Sequence, residues 1–140
     1  MKPFDPTLYK TDDPAKDKVL RWLEHRGYKA KVNPDQYGID LLAERDGKTI
    51  GIEVEVKHNW KGQAFPYQTV HIASRKLKFF ETEDNYLMMV NHDWSFGLSF
   101  SAEQIRAAEV IKKDTIYTQQ ELFIELPLLL ARRFYLNEIP

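Results

Sequence analysis

The stretch Tyr37–Lys57 reads YGIDLLAERDGKTIGIEVEVK, and its reading decides the fold. Two alternating segments flank Asp46-Gly47, a dipeptide suited to the two-residue hairpin loop. Such a loop sets Arg45 opposite Lys48. Counting outward, Ala43 faces Ile50, Leu41 faces Ile52 and Ile39 faces Val54. The apolar residues of both strands then share one face, as a half-buried sheet requires. The same register sets Asp40 opposite Glu53, with Glu55 on the neighbouring diagonal and Lys57 one step beyond. Three carboxylates and an ammonium crowd the other face.

Carboxylates opposed across a ladder repel each other. Water on an exposed face screens that repulsion, and an amphipathic hairpin with a wet acidic face is one reading. A divalent cation removes it instead. Mg²⁺ takes oxygen ligands and is often held by one or two carboxylates plus waters and a phosphate. Asp40 with Glu55 supplies the carboxylates. Lys57, two residues past Glu55, projects from the same face. There an ammonium orients a water or stabilises charge growing on a phosphate.

The order Asp40, hairpin, Glu55-Val56-Lys57 resembles the PD-(D/E)XK nuclease superfamily. That signature has an Asp at the start of one strand and a (D/E)-x-K on the next. Upstream, a helix ending in Arg26-Gly27-Tyr28 precedes a short strand through Lys29-Ala30-Lys31-Val32, then Asn33-Pro34 and Gly38-Ile39-Asp40. This order is similar to archaeal-type Holliday junction resolvases and related restriction-like endonucleases. The match runs from Asp13 to Gln68. Gly38-Ile39 precedes Asp40 where the family name has Pro.

The resemblance implies an α/β fold: a mixed central β-sheet flanked by helices, with a restriction-endonuclease-like core and the hairpin at its centre. It implies a metal-dependent endonuclease that hydrolyses DNA phosphodiester bonds. Asp40 and Glu55 would hold Mg²⁺ or Mn²⁺, joined by the Val56 carbonyl, and Lys57 would act on the water or the phosphate. It also implies an auxiliary acid on the first helix, Asp17 or Glu24, and a polar residue after the lysine, Gln63 or Gln68. Each of these also suits a solvated surface. A second reading is a non-catalytic nucleic-acid-binding or assembly protein that kept the fold.

The 140 residues suit one domain over 1–140. Hydrophobic residues at 43% and charged residues at 29% are ordinary for a globular chain. No apolar run approaches the roughly 20 residues that cross a bilayer, so no membrane association is expected. The absence of cysteine excludes disulfides and makes an intracellular location the default. A net charge of −1 weighs against a broadly basic nucleic-acid binder, although clustering matters more than the sum.

Met1–Lys10 reads as an extended, proline-punctuated arm. Asp12 or Asp13 caps a helix with Pro14 at its first position. Ala15, Val19, Trp22 and Leu23 recur at helical spacing, and Gly27 stops the run. His58–Tyr67 reads as a loop in which Trp60, Phe65 and Tyr67 interleave with Lys61. Those rings suit stacking on bases, and equally suit anchoring the loop to the core. His58 and His71 lack metal-ligand spacing and read as surface or packing residues.

Ala73–Phe80 is expected to be a short helix with Arg75, Lys76 and Lys78 grouped as a phosphate-contacting patch or a solvated face. Asn85–Asn91 suits a buried strand, with Trp94–Phe100 as its hairpin partner. Ser101 caps a helix through Ala108, and strands follow over Glu109–Tyr117 and Leu122–Leu126. Leu128–Leu130 begins an apolar segment holding Arg132-Arg133. Unless it packs on its own domain, it offers a surface for a homodimer or larger assembly.

Overall fold

The computed structural model describes residues 13–115 and 120–138. The expected arm Met1–Lys10, and Tyr117 at the end of an expected strand, lie outside the described residues. Helix α1 spans Pro14–His25, where the sequence sets it. Asp13 is its cap, accepting from the Ala15 and Lys16 amides at 3.1 and 3.2 Å. Ala15, Val19, Leu20 and Leu23 form the buried face. Gly27, at φ 90°, turns the chain out of the helix.

Strands β1 (Lys29–Val32), β2 (Leu41–Arg45) and β3 (Lys48–Val56) form an antiparallel meander. The register is the expected one: Leu41 pairs with Ile52, Ala43 with Ile50 and Arg45 with Lys48. Asp46 and Gly47 both have positive φ, 54° and 79°, as a mirror-image turn demands.

β4 (Thr69–Ala73) leads into a 3₁₀ turn, Ser74–Phe80. β5 (Asn85–Val90) runs parallel to β3, and β6 (Phe96–Ser101) returns antiparallel. Helix α2 (Ala102–Ala107) starts at a capping box between Ser101 and Gln104. β7 (Glu109–Lys113), β8 (Glu121–Pro127) and β9 (Arg132–Tyr135) complete the strands.

The main sheet is mixed, in the order β1-β2-β3-β5-β6-β9. The two faces of this sheet bury different cores. α1 packs on one face over Leu41, Ile52, Val54, Met88 and Val90. Leu87, Met89 and Phe100 point the other way. The expectation of a mixed sheet flanked by helices holds, and β5 is buried on both faces as its continuous apolar run predicts.

The second face differs from the expectation. α2 and the 3₁₀ turn share it with a three-stranded sheet, β4-β8-β7. β4 has little signal in the sequence, since Val70 and Ile72 make only two apolar positions between a loop and a turn. β9 has less, since Phe134 alone of its four residues is buried. Phe134 sits over Gly97 of β6 so closely that a Cβ there would collide with the ring. That contact and the packing of Phe134 against Trp22 of α1, ring centres 5.0 Å apart and planes tilted by 45°, hold β9 at the sheet edge.

Candidate active site

Asp40 lies just before β2 and is positioned by its backbone and its side chain. The Asn33 amide donates to the Asp40 carbonyl at 3.0 Å, and Asn33 Nδ2 donates to the Ile39 carbonyl at 2.9 Å. The Val54 amide donates to Asp40 Oδ2 at 2.8 Å, fixing the carboxylate over the middle of β3. Glu53 and Glu55, on the face of β3 away from α1, stand beside it. The carboxylates that the hairpin register groups are together in space.

Three lysines meet them, from α1, from the 3₁₀ turn and from the residue after β3. Lys16 of α1 reaches Asp40 Oδ1 at 2.9 Å. Lys76 of the 3₁₀ turn reaches Glu55 Oε1 at 2.9 Å and Glu53 Oε2 at 3.6 Å. Lys57 lies 3.0 Å from Glu55 Oε2 and donates to the His71 carbonyl at 2.8 Å. Burial opposes the charge on Lys16 and on Lys76. The carboxylates outweigh it, and both ammoniums are held above their ordinary range.

Glu53 is the strained member. Only 8% of its side chain is exposed. Burial first, and the Asp40 charge second, push its carboxyl up to about 7, against the pull of Lys76. Its Oε1 is buried with no hydrogen-bond partner, whereas the equally buried Glu55 Oε2 has the Lys57 ammonium beside it at 3.0 Å. Buried acceptors of this kind are uncommon and call for an ion or a water.

Among the described residues, no three carboxylate or imidazole groups are arranged to hold a metal ion by themselves. Mg²⁺ keeps several waters and needs only one or two carboxylates, and the unpartnered Glu53 Oε1 is an oxygen donor of that kind.

Several residues do not take the expected place. Asp17 pairs with Arg21 at 2.9 Å, and Glu24 is exposed, so neither joins the carboxylates. The helix contributes Lys16 instead. Trp60 is 1% exposed and anchors its loop, edge-on to Phe65, which is edge-on to Tyr67. Of these three rings only Tyr67, 59% exposed, is free to stack on a base. Gln63 donates to the Tyr135 hydroxyl at 3.1 Å, away from the carboxylates.

Arg75, Lys76 and Lys78 do not make one patch. Arg75 leans toward Glu121 at 3.8 Å, Lys78 lies over Phe79 at 5.1 Å, and Lys76 turns inward. His71 packs between Glu125 at 2.8 Å and Lys113 at 3.0 Å, in agreement with its reading as a packing residue. Lys16 carried no signal beyond its place on the polar face of α1.

A meander with Asp40 at the mouth of its hairpin, extended by a parallel β5 and clasped by α1, defines a restriction-endonuclease-like fold. A solved counterpart is Archaeoglobus fulgidus Hjc, a Holliday junction resolvase from an archaeal hyperthermophile. The two share 13% identity at a TM-score of 0.51, over 96% of this chain and 93% of that chain. The likeness bears out the fold that the Asp40 and Glu55-Val56-Lys57 pattern implies. No protein-family model matches the chain. No curated protein matches its sequence.

Proposed function

We propose that the chain is a metal-dependent endonuclease acting on the phosphodiester bonds of DNA. The observation that carries this reading is the convergence of Asp40, Glu53, Glu55 and Lys57 on one place, with Glu53 Oε1 buried and unpartnered. Asp40 and Glu55 would hold Mg²⁺ or Mn²⁺ with the Val56 carbonyl, and Glu53 adds a donor beside them. Such an ion, when bound, supplies a Lewis acid for the phosphate and lowers the pKa of its water. Lys57, held by the His71 carbonyl, presents its remaining N–H groups to that water or to the phosphate oxygen. Asp40, locked by the Val54 amide, keeps its direction through the cycle.

This reading implies an intracellular protein with DNA as partner. For a homodimer or larger assembly, Leu129, 97% exposed, marks the surface to test, since Phe134 and Leu136 further along the segment pack on their own domain. Sedimentation at several concentrations tests the dimer. Nicking of plasmid and branched DNA with Mn²⁺ tests the activity, with Asp40→Asn as the inactive control.

A second reading is favoured by the ion pairs. Lys16, Lys57 and Lys76 match three carboxylates in number, and lysines in those positions neutralise the site without a metal. On that reading the chain is a non-catalytic nucleic-acid-binding or assembly protein. Absence of a calorimetric Mn²⁺ signal together with absence of nicking would move this reading ahead.

A further inference from the structure

A groove of about 790 Å³ opens on the α1 face of the main sheet, between the end of α1, the hairpin tip and β9. Arg26, Arg45, Arg132 and Arg133 line it, and all four are exposed. Among the described residues, none of the four arginines is in an ion pair, whereas Lys48 at the rim is paired with Asp84 at 3.1 Å. Asp46 is the acidic residue of the lining. In a chain of net charge −1, four unpaired guanidiniums around one concavity concentrate positive potential there.

The same groove carries aromatic faces: Trp22, Tyr28 and Tyr86. Arg26 lies 4.4 Å from the Trp22 ring centre and Arg45 lies 4.3 Å from that of Tyr28. A stacked guanidinium keeps its N–H edge free for a phosphate. Arg45 also donates to the Arg26 carbonyl at 3.0 Å, which steadies both. Trp22 Nε1 is buried without a partner, a further donor in want of an acceptor.

Arginine forks hold phosphate oxygens, and aromatic faces take unstacked bases. An acidic peptide would use the arginines and leave the rings idle. We propose that this groove binds a single-stranded nucleic-acid segment, phosphates on the arginine edges and bases on Tyr86 and on the outer planes of the guanidiniums that already cover Trp22 and Tyr28. The shared chemistry is a base joined to a phosphate, for which a free nucleotide is the other source.

The groove is separate from the carboxylates. Ile50 and Met88 form its floor, on the opposite face of their strands from Glu53 and Glu55. Arg45 is also a strand's length from Asp40, roughly 17 Å at the usual rise. The proposal thus stands on these residues and does not depend on cleavage.

The test is fluorescence anisotropy with a labelled single strand of about 15 nucleotides, in EDTA so that no metal site takes part. Wild type should bind. Arg132→Ala/Arg133→Ala should bind at least tenfold more weakly at about 100 mM salt, with the salt slope reduced by about 1.4, or 0.7 per phosphate lost. Arg132→Lys/Arg133→Lys should fall between the two, since lysine keeps the charge but not the fork.

Arg26→Gln, outside β9, should also weaken binding, which covers a failure of the double variant to fold. Asp40→Asn should not weaken it. Equal binding by wild type and both arginine-loss variants would overturn the proposal, and so would no binding by wild type. Displacement of the strand by micromolar deoxyadenosine monophosphate would reassign the groove to free nucleotides and overturn the strand as occupant.

Discussion

The Val54 amide donates to Asp40 Oδ2 at 2.8 Å, just beyond the point where the β2–β3 ladder ends at Leu41 and Ile52. One carboxylate oxygen is thereby part of the backbone bonding of the hairpin, and the other faces Lys16. Asp40 thus anchors the hairpin, and on the proposed function it would also hold the metal in place of Lys16.

Asp40→Asn and Asp40→Ala should therefore separate. Asparagine keeps an acceptor for Val54 and removes a charge beside Glu53, so stability should stay within about 1 kcal/mol of wild type while metal binding is lost. Alanine leaves the Val54 N–H and Lys16 unpartnered and should cost about 2 kcal/mol. Urea denaturation of both variants, with calorimetric Mn²⁺ titration, checks this.

Glu53 makes stability depend on pH. Its folded carboxyl titrates at about 7, above its ordinary value of 4.5. The folded state thus holds the proton more tightly than the unfolded chain. Its contribution is complete below the ordinary carboxylate range, falls as pH rises toward about 7, and is level beyond. Glu53→Gln should flatten that slope in melting temperature.

A divalent ion favours ionised carboxylates. Metal-induced stabilisation should therefore be larger at about pH 8 than at about pH 6, since protons compete for Glu53 at the lower value. Melting curves in EDTA and in Mn²⁺ at both pH values measure it. Equal shifts would exclude Glu53 from the ion's surroundings.

Lys76→Met removes the ammonium shared by Glu53 and Glu55. Leaving buried Glu53 and half-buried Glu55 without it should cost about 3 kcal/mol. Mn²⁺ should restore part of that loss, because an ion can take the place of the lost charge. A loss that Mn²⁺ leaves untouched would mean that no metal site adjoins Lys76.

Lys57→Ala should lower cleavage a hundredfold or more, on the order of 3 kcal/mol in the barrier. Metal affinity should hold, and the unpaired His71 carbonyl should lower stability by about 1 kcal/mol. Single-turnover nicking with Mn²⁺ measures the first effect. Equal cleavage by wild type and Lys57→Ala would overturn the role given to Lys57.

The hairpin was legible because its cause is local. Asp46-Gly47 admits one tight turn, and a two-residue turn sets every pair from Arg45–Lys48 to Leu41–Ile52. Asp13 and Ser101 announced their helices for the same reason: each cap bonds to amides within three residues of itself. That register points Asp40 toward Glu53 and Glu55, and the Val54 amide and Asn33 complete its placement just beyond the ladder.

What only the tertiary structure decided is which distant groups meet this local frame. Lys16 and Lys76 reach the carboxylates because α1 and the 3₁₀ turn pack on opposite faces of the main sheet. Periodicity shows that α1 buries Val19 and Leu23, but not which polar residue of the helix will stand over Asp40. The pairing of β9 with β6, the burial of Trp60 and the arginine groove depend likewise on contacts between residues far apart in the chain. Local turns and caps set neighbours by covalent reach. Distant neighbours are set by how whole faces pack, which no short stretch of sequence specifies.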